Sequence, residues 1–488
     1  MWWREAVVLQ IYPRSFADAS GDGVGDLEGV RSKLDHLRWL GVDALWLSPI
    51  YPSPMADFGY DVADYCDVDP LFGDLAGFDR LLEDAHARDI HVLLDWVPNH
   101  TSDRHPWFAE ARMSRDSPKR DWYRWRDGTD DGVTPPNNWT AAFTDEPAWT
   151  WDEATGQWYL HTFLPEQPDL DWDNPEVVAA MHDVLRFWMD RGVDGFRADV
   201  VHLIGKDPAL SDVSERHLVA YHDHDGTHPL LRGIRSVLDE YDTPHPRMMV
   251  GEVNLTETRL IAKYLGDDDE LNLVFDFASL DVPWSADAWR ARIAHVESVM
   301  GERWPTWVFS NHDQPRVRTR LGGDEDRARA AAVLLLTLRG TPFLYAGDEL
   351  GLEDADVPAD RVVDPGGRDG CRAPIPWTAA ADHGWPAEPW LPWPPEPEAR
   401  NAETLRADPG SILHLHRALL AARRTSAALR SGTLRLLDDL PDDVLAYDRA
   451  AAGDVRRVLI GFGGEAPPVP EGWEVEVAGG PAVLLRRA

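Results

Sequence analysis

The feature that most constrains this chain is an alternation. Short apolar runs rich in β-branched and aromatic residues recur between stretches of helical periodicity. The runs are "VVLQIY" (7–12), "ALWLSPI" (44–50), "HVLLDWV" (91–97), "VDGFRADV" (193–200), "RMMVGEV" (247–253), "LNLVFDF" (271–277), "TWVFSNHD" (306–313) and "TPFLYAGDE" (341–349). Between them, Leu27, Val30, Leu34, Leu37 and Leu40 fall at helical spacing, and the same period returns over 74–89, 175–191, 284–300 and 324–339. Alternating strand and helix implies a parallel sheet. Eight such units in 488 residues predict an α/β fold, a closed (β/α)8 TIM barrel, with a doubly wound open sheet as the other reading.

Two segments break the alternation. Residues 101–171, rich in Trp, Pro, Asp and Asn, carry "TPPNNW" and "EPAWTWDEATGQWY", which read as turns and short strands. They predict a subdomain inserted after the third strand, so that the barrel comprises 1–100 and 172–426. After a helix at about 411–424, "TLRLL", "VLAYDR", "RRVLIGF", "WEVEVAG" and "AVLLRR" predict a small C-terminal antiparallel β domain over 427–488.

In a (β/α)8 barrel the C-terminal strand ends carry the active site, and the polar exceptions in this chain fall there. Asp95, Asn99 and His100 end the third strand, Arg197 and Asp199 the fourth, Glu252 the fifth, and His312 and Asp313 the seventh. One buried carboxylate is ordinary; a rim of them is costly, because each unpaired buried charge costs several kcal/mol. Glycoside cleavage uses such a set: one carboxylate as nucleophile or base, and one carboxylic acid to protonate the leaving oxygen. Arg197 and Asp199, two apart on a strand, share a face, so the guanidinium can keep Asp199 ionised. Glu252 is the candidate acid.

Charge and cysteine content narrow the partners. Lys+Arg 48 against Asp+Glu 85 gives a net charge of −37, which argues against nucleic acid or an anionic membrane. No apolar run approaches the roughly 20 residues of a membrane span. Cys66 and Cys371 are too few for a disulfide framework, and "MWWREAVVLQIY" lacks the pattern of a secretory leader. A cytoplasmic protein acting on a small molecule is expected, and these features do not bear on oligomeric state.

"DWVPNH" (95–100), "GFRADVVH" (195–202), "GEVN" (251–254) and "FSNHDQ" (309–314) resemble, in that order, the four signature regions of the α-amylase family of glycoside hydrolases. "QPDLDWDNPEV" (167–177) and "GTPFLYAGDELG" (340–351) look like its oligo-1,6-glucosidase and α-glucosidase branch. The resemblance implies a retaining, exo-acting α-glucosidase for short α-glucosides, with Asp199 as nucleophile, Glu252 as acid and base, and Asp313 as transition-state stabiliser. It implies substrate contacts from Asp57, Tyr60, His100, Arg197 and His312, with Phe163 counted among them, and an Arg372 partner for Asp57. Val200 resembles the residue of isomaltose-active members. Linkage preference stays open, and so does transfer of glucose to a non-water acceptor as the alternative activity. Trp139, Trp149 and Trp151 are candidate acceptor-site walls.

The stretch "DASGDGVGDLEG" (18–29) resembles an EF-hand and also the shorter divalent-ion loop of this branch. Asp18, Ser20, Asp22, the Val24 carbonyl and Asp26 follow the alternate-position ligand pattern, whereas Gly29 stands where an EF-hand needs Glu. A structural Ca2+ or Mg2+ is implied, with no cofactor for catalysis.

Overall fold

The computed structural model describes all residues except 145, 214–222 and 439. Its largest sheet has eight strands: Val8–Ile11, Ala44–Leu47, His91–Trp96, Gly195–Ala198, Met248–Gly251, Leu273–Val274, Thr306–Val308 and Thr341–Tyr345. Each lies inside one of the eight apolar runs. All pairings are parallel, in the order seventh, eighth, first to sixth. The seam between sixth and seventh is bridged by Thr306, whose hydroxyl donates to the Val274 carbonyl at 2.5 Å. The result is the α/β barrel expected from the alternation.

Strand period two sorts the side chains into two cores. Val8, Ala44, Trp46, Leu93, Met248, Val250, Leu273, Val308 and Phe343 pack together in one cluster. Their neighbours Leu9, Leu45, Leu47, Val92, Leu94, Phe196 and Met249 join the other, with helix residues such as Leu37, Phe78, Leu185 and Val296. Fully burying each such side chain contributes about 1.5–3 kcal/mol. The first cluster fills the barrel and the second seals strands to helices. Continuing the inward positions toward the C-terminal ends reaches Gln10, Asp95 and Arg197, so the interior turns polar at one end only.

The main helices follow the predicted periods with two differences, and short helices such as Pro106–Ala111 and Ala402–Ala407 add to them. Residues 27–40 form two helices, Leu27–Ser32 and Leu34–Leu40, broken at Lys33. Helix Thr227–Asp239 fills a stretch the periodicity reading left unassigned, burying Leu231, Ile234, Val237 and Leu238. Among the described residues no helix is long and apolar enough to cross a membrane.

Between the third and fourth barrel strands lies a three-stranded antiparallel sheet of Trp125–Arg126, Trp149–Asp152 and Gln157–Leu160, the last in the middle. The bridge His100–Asp169 binds this excursion to the barrel rim, and the bridge Tyr123–Leu170 joins its beginning to its end. At the C-terminus, five antiparallel strands match the five predicted runs: Thr433–Leu436, Val444–Ala451, Asp454–Gly461, Trp473–Gly479 and Ala482–Arg487. Gly479 lets this sheet approach the barrel helices, since a Cβ there would stand 2.8 Å from Leu415 and 2.9 Å from Val333.

Candidate active site

Register places the first pair. Asp95 lies opposite Arg197 across the third and fourth strands, and the Arg197 Nη1 donates to Asp95 Oδ1 at 2.6 Å and to Asp199 Oδ1 at 2.8 Å. Its Nη2 donates to Glu252. One buried guanidinium therefore gathers three carboxyls from three adjacent strands. Asp199 lies just beyond the fourth strand, where Val200 adopts φ 33°, ψ 41° before the short helical turn Val201–Leu203. That left-handed conformation is rare for a β-branched residue and costs about 1–3 kcal/mol, a strain typical of functional sites. The Val200 N–H donates to Glu252 Oε2 at 3.4 Å, tying the turn to the fifth strand.

Asp95 is held from all sides. Besides Arg197 it accepts from the Trp46 indole at 3.1 Å and the Tyr60 hydroxyl at 3.0 Å. Burial pushes its carboxyl up to about 6, against the pull of Arg197. The same Tyr60 oxygen sits 2.6 Å from His312 Nε2, and Gln10 sits 2.7 Å from Nδ1. Both ring nitrogens are thus engaged, and burial lowers His312 to about 3 and His100 to about 4, leaving both imidazoles neutral near pH 7. Tyr60 stacks on His312 with centroids 5.5 Å apart.

Burial also raises the Asp199 carboxyl; Arg197 opposes this, while neighbouring Glu252 and Asp95 add to it. Asp313 goes the other way. Burial alone would raise it, but Arg368 at 2.9 Å and Arg372 at 3.1 Å hold it well below the usual carboxylate range. Acidic groups a few residues apart in space are thereby pushed in opposite directions, the condition under which carboxyls take different roles.

Asp57, Tyr60, His100, Phe163, Asp199, Val200, Glu252 and Asp313 line a cavity of about 490 Å3, and Arg197, His312 and Arg372 stand behind its walls. The volume suits a small ligand. Residues 10–432 match the alpha amylase catalytic-domain family model.

The chain belongs to the alpha-amylase family.

Among its relatives in that family, a probable alpha-glucosidase of Rhizobium meliloti (strain 1021) is 41% identical over 90% of this chain and 85% of its own length. An oligo-1,6-glucosidase of Parageobacillus thermoglucosidasius is 37% identical over 96% and 91%. Two solved structures have nearly the same fold. The alpha-glucosyl transfer enzyme XgtA superposes with a TM-score of 0.92 at 40% identity, covering 100% of this chain and 99% of its own. Trehalulose synthase MutB from Pseudomonas mesoacidophila MX-45 gives 0.91 at 33%, covering 100% and 98%.

One expectation from the alpha-amylase family resemblance needs correction. Arg372 does not pair with Asp57. Its guanidinium, fully buried over the Tyr12 ring, donates to the His312 carbonyl, Asp364 and Asp313. The partner of Asp57 is Arg368, at 2.6 Å. Both arginines occur in "RDGCR", four apart around the turn Asp369–Arg372, and the motif alone does not say which faces the cavity. Asp364 clamps both, at 2.7 Å and 3.1 Å.

Sequence reasoning also missed Gln167 and Phe143. Gln167 Nε2 donates to Asp57 Oδ2 at 3.1 Å and lies 3.1 Å from His100 Nε2. Phe143 lines the cavity beneath Arg368, whose guanidinium sits 5.1 Å from its ring centroid. "QPDLDW" was legible as a motif without a role for its glutamine; nothing near Phe143 distinguishes it from a loop aromatic. The candidate acceptor-site walls lie elsewhere: Trp139 and Trp149 pack with Ala148, Leu160 and Leu210, and Trp151 lies against Trp158. Phe163 lines the cavity, edge-on to His100 at 5.2 Å.

In the 18–26 loop, Asp18 accepts from the Gly21 and Gly23 amides, Asp22 from Val24, and Asp26 from Ala19, Ser20 and Gly29. Each carboxylate has four lone-pair sites, so these bonds leave oxygen capacity on all three, and the hard donors suit Ca2+ or Mg2+. Gly23, at φ 87°, is required: a Cβ would stand 2.1 Å from the Glu388 carbonyl.

Proposed function

We propose that this alpha-amylase family enzyme is a retaining, exo-acting α-glucosidase that releases the non-reducing terminal α-glucose of short α-glucosides of maltose or isomaltose type. The observation that carries this reading is Arg197 donating at once to Asp199 and Glu252. Two carboxyls spanned by one guanidinium fit the short separation, about 5–5.5 Å, of retaining enzymes rather than the wider gap that admits a water.

Three carboxyls around one guanidinium disfavour full ionisation, so the cluster retains a proton. The retaining mechanism requires Glu252 to enter as the carboxylic acid, with its proton directed at the glycosidic oxygen. Asp199 attacks the anomeric carbon as the bond to that oxygen breaks, and the departing hydroxyl takes the Glu252 proton. Glu252, now a carboxylate, removes a proton from water, which attacks the same carbon and frees Asp199. Asp313, held ionised by Arg368 and Arg372, stabilises the positive charge that develops on the sugar ring. The Asp57–Arg368 pair, with Gln167 and His100, offers hydrogen bonds to the hydroxyls of a terminal glucose and shuts the pocket to a longer chain.

A second activity uses the same glucosyl-enzyme. Phe143, Leu255, Phe277 and Leu280 make part of the cavity wall apolar, which favours an organic acceptor over water, and one structural relative is named for glucosyl transfer. NMR time courses with maltose, isomaltose, trehalose, sucrose and kojibiose, with and without a phenolic acceptor, separate these. α-Glucose as first product supports the hydrolase, and new glucosides outpacing glucose support transfer. β-Glucose as first product, or turnover by Asp199→Asn protein, overturns the mechanism.

The 18–26 loop is proposed as a structural site for Ca2+ or Mg2+, supported by its acidic oxygen donors. Thermal melting with Ca2+ and with a chelator tests it; a melting temperature indifferent to both excludes the site. A cytoplasmic location is proposed on the unpaired Cys66 and Cys371.

A further inference from the structure

At the opposite, N-terminal end of the barrel strands lies a group the glucosidase chemistry does not use. We propose that His91, Asp194 and His245 form a transition-metal site, with Zn2+ as the fitting ion.

His91 opens the third strand, Asp194 directly precedes the fourth, and His245 precedes the fifth. Adjacent parallel strands thus bring three ligands together from distant sequence. Asp194 is fully buried, and its Oδ2 is saturated by the Val92 amide and by His86 Nε2, both at 2.8 Å. That fixes the carboxylate and aims Oδ1 at the other two: His245 Nε2 lies 2.6 Å away and His91 Nδ1 3.1 Å away. The three ligand atoms lie within 4.8 Å of one another, and among the described residues this is the one such group of three His, Cys, Asp or Glu side chains.

The arrangement is close to what a tetrahedral ion needs. Zn–N and Zn–O distances of about 2.0–2.2 Å put neighbouring ligand atoms roughly 3.3 Å apart, so the two contacts to Asp194 Oδ1 need widen by less than about 1 Å. The two rings converge rather than stack, with planes 74° apart and centroids 4.9 Å apart. Trp2 lies flat on His91 at 3.9 Å, and its indole donates to the Pro246 carbonyl at 3.0 Å, clamping both histidine-bearing segments.

Access and chemistry agree. The His91 and His245 side chains are 26% and 32% exposed, so an ion can enter without opening the fold. Two imidazoles and one carboxylate are a borderline donor set that selects Zn2+ over Ca2+ or Mg2+. His86 supports the ligating carboxylate from behind, as outer partners do in metal sites. Bound metal would cross-link three strand starts.

The test is calorimetric titration of chelator-treated, dialysed protein with Zn2+, with Ca2+ in excess so that the oxygen-only 18–26 loop is silent, and a parallel Co2+ titration followed by visible absorption. Saturable one-to-one binding, weakened at least tenfold by His91→Ala and by His245→Ala but not by exposed His295→Ala, is expected. Circular dichroism and melting confirm that the variants are folded. Absence of saturable binding, or binding unchanged in both site variants, overturns the proposal.

Discussion

The Arg368 guanidinium meets the Asp57 carboxylate at 2.6 Å across 311 residues of chain, and its other amino group reaches Asp313 at 2.9 Å. One side chain therefore links the closed wall of the pocket to a carboxylate beside the reacting carbon. Arg368→Ala should lower kcat/KM on disaccharides at least about a hundredfold, about 2.7 kcal/mol of transition-state stabilisation, with the fold retained. Arg372→Ala should instead destabilise, by about 3 kcal/mol or more, because it strips a fully buried partner from Asp364 and Asp313. Urea melts beside steady-state kinetics distinguish them; equal behaviour would undo the distinction between the two arginines.

Asp199 and Glu252 share a guanidinium but should fail differently. Asp199→Asn should cost at least about a thousandfold in turnover on every substrate while still binding glucose. Glu252→Gln should be just as poor on maltose, yet with a nitrophenyl glucoside, whose leaving group needs no proton, give a rapid burst followed by slow release. Stopped-flow absorbance reads the burst, and its absence would remove Glu252 from the acid role.

Val200 carries backbone strain that its neighbour does not. Val200→Gly relieves a positive φ of 33° while losing a buried side chain, so its net effect on stability should stay within about 1 kcal/mol. Val201→Gly, at a fully buried position with ordinary backbone, should cost about 3 kcal/mol or more. Chemical denaturation compares them. Since Val200 also lines the cavity, Val200→Gly should change the ratio of isomaltose to maltose kcat/KM by about tenfold.

His416 offers a clean pH test. Burial lowers it to about 4 while its Nδ1 lies 2.9 Å from the Ile412 carbonyl. The unfolded chain takes up this proton near pH 6.5 and the folded chain only near 4. Stability from the neutral imidazole is therefore full above pH 6.5 and lost as pH falls toward 4, by about 3 kcal/mol. Relative to His416→Leu, the wild-type protein should lose that amount over the window; parallel loss in both would show that His416 does not titrate this way.

The eight strands were legible because each is apolar on both faces and bounded by turns, a pattern set by burial within the barrel. The rim was legible for the complementary reason: Asp95, Arg197, Asp199, Glu252 and Asp313 are charges where burial forbids unpaired ones, so their positions announce partners. Helix Thr227–Asp239 was overlooked although Leu231, Ile234, Val237 and Leu238 repeat at helical spacing.

What the sequence determined by itself was local: strand, helix, and which residue types end each strand. Which arginine of "RDGCR" meets Asp57, which aromatics of the insert reach the cavity, and how His91, Asp194 and His245 come together were decided by the tertiary structure. The reason is physical. Periodicity records which face of an element is buried, whereas pairing across strands depends on register and on loops whose course is set by packing far along the chain.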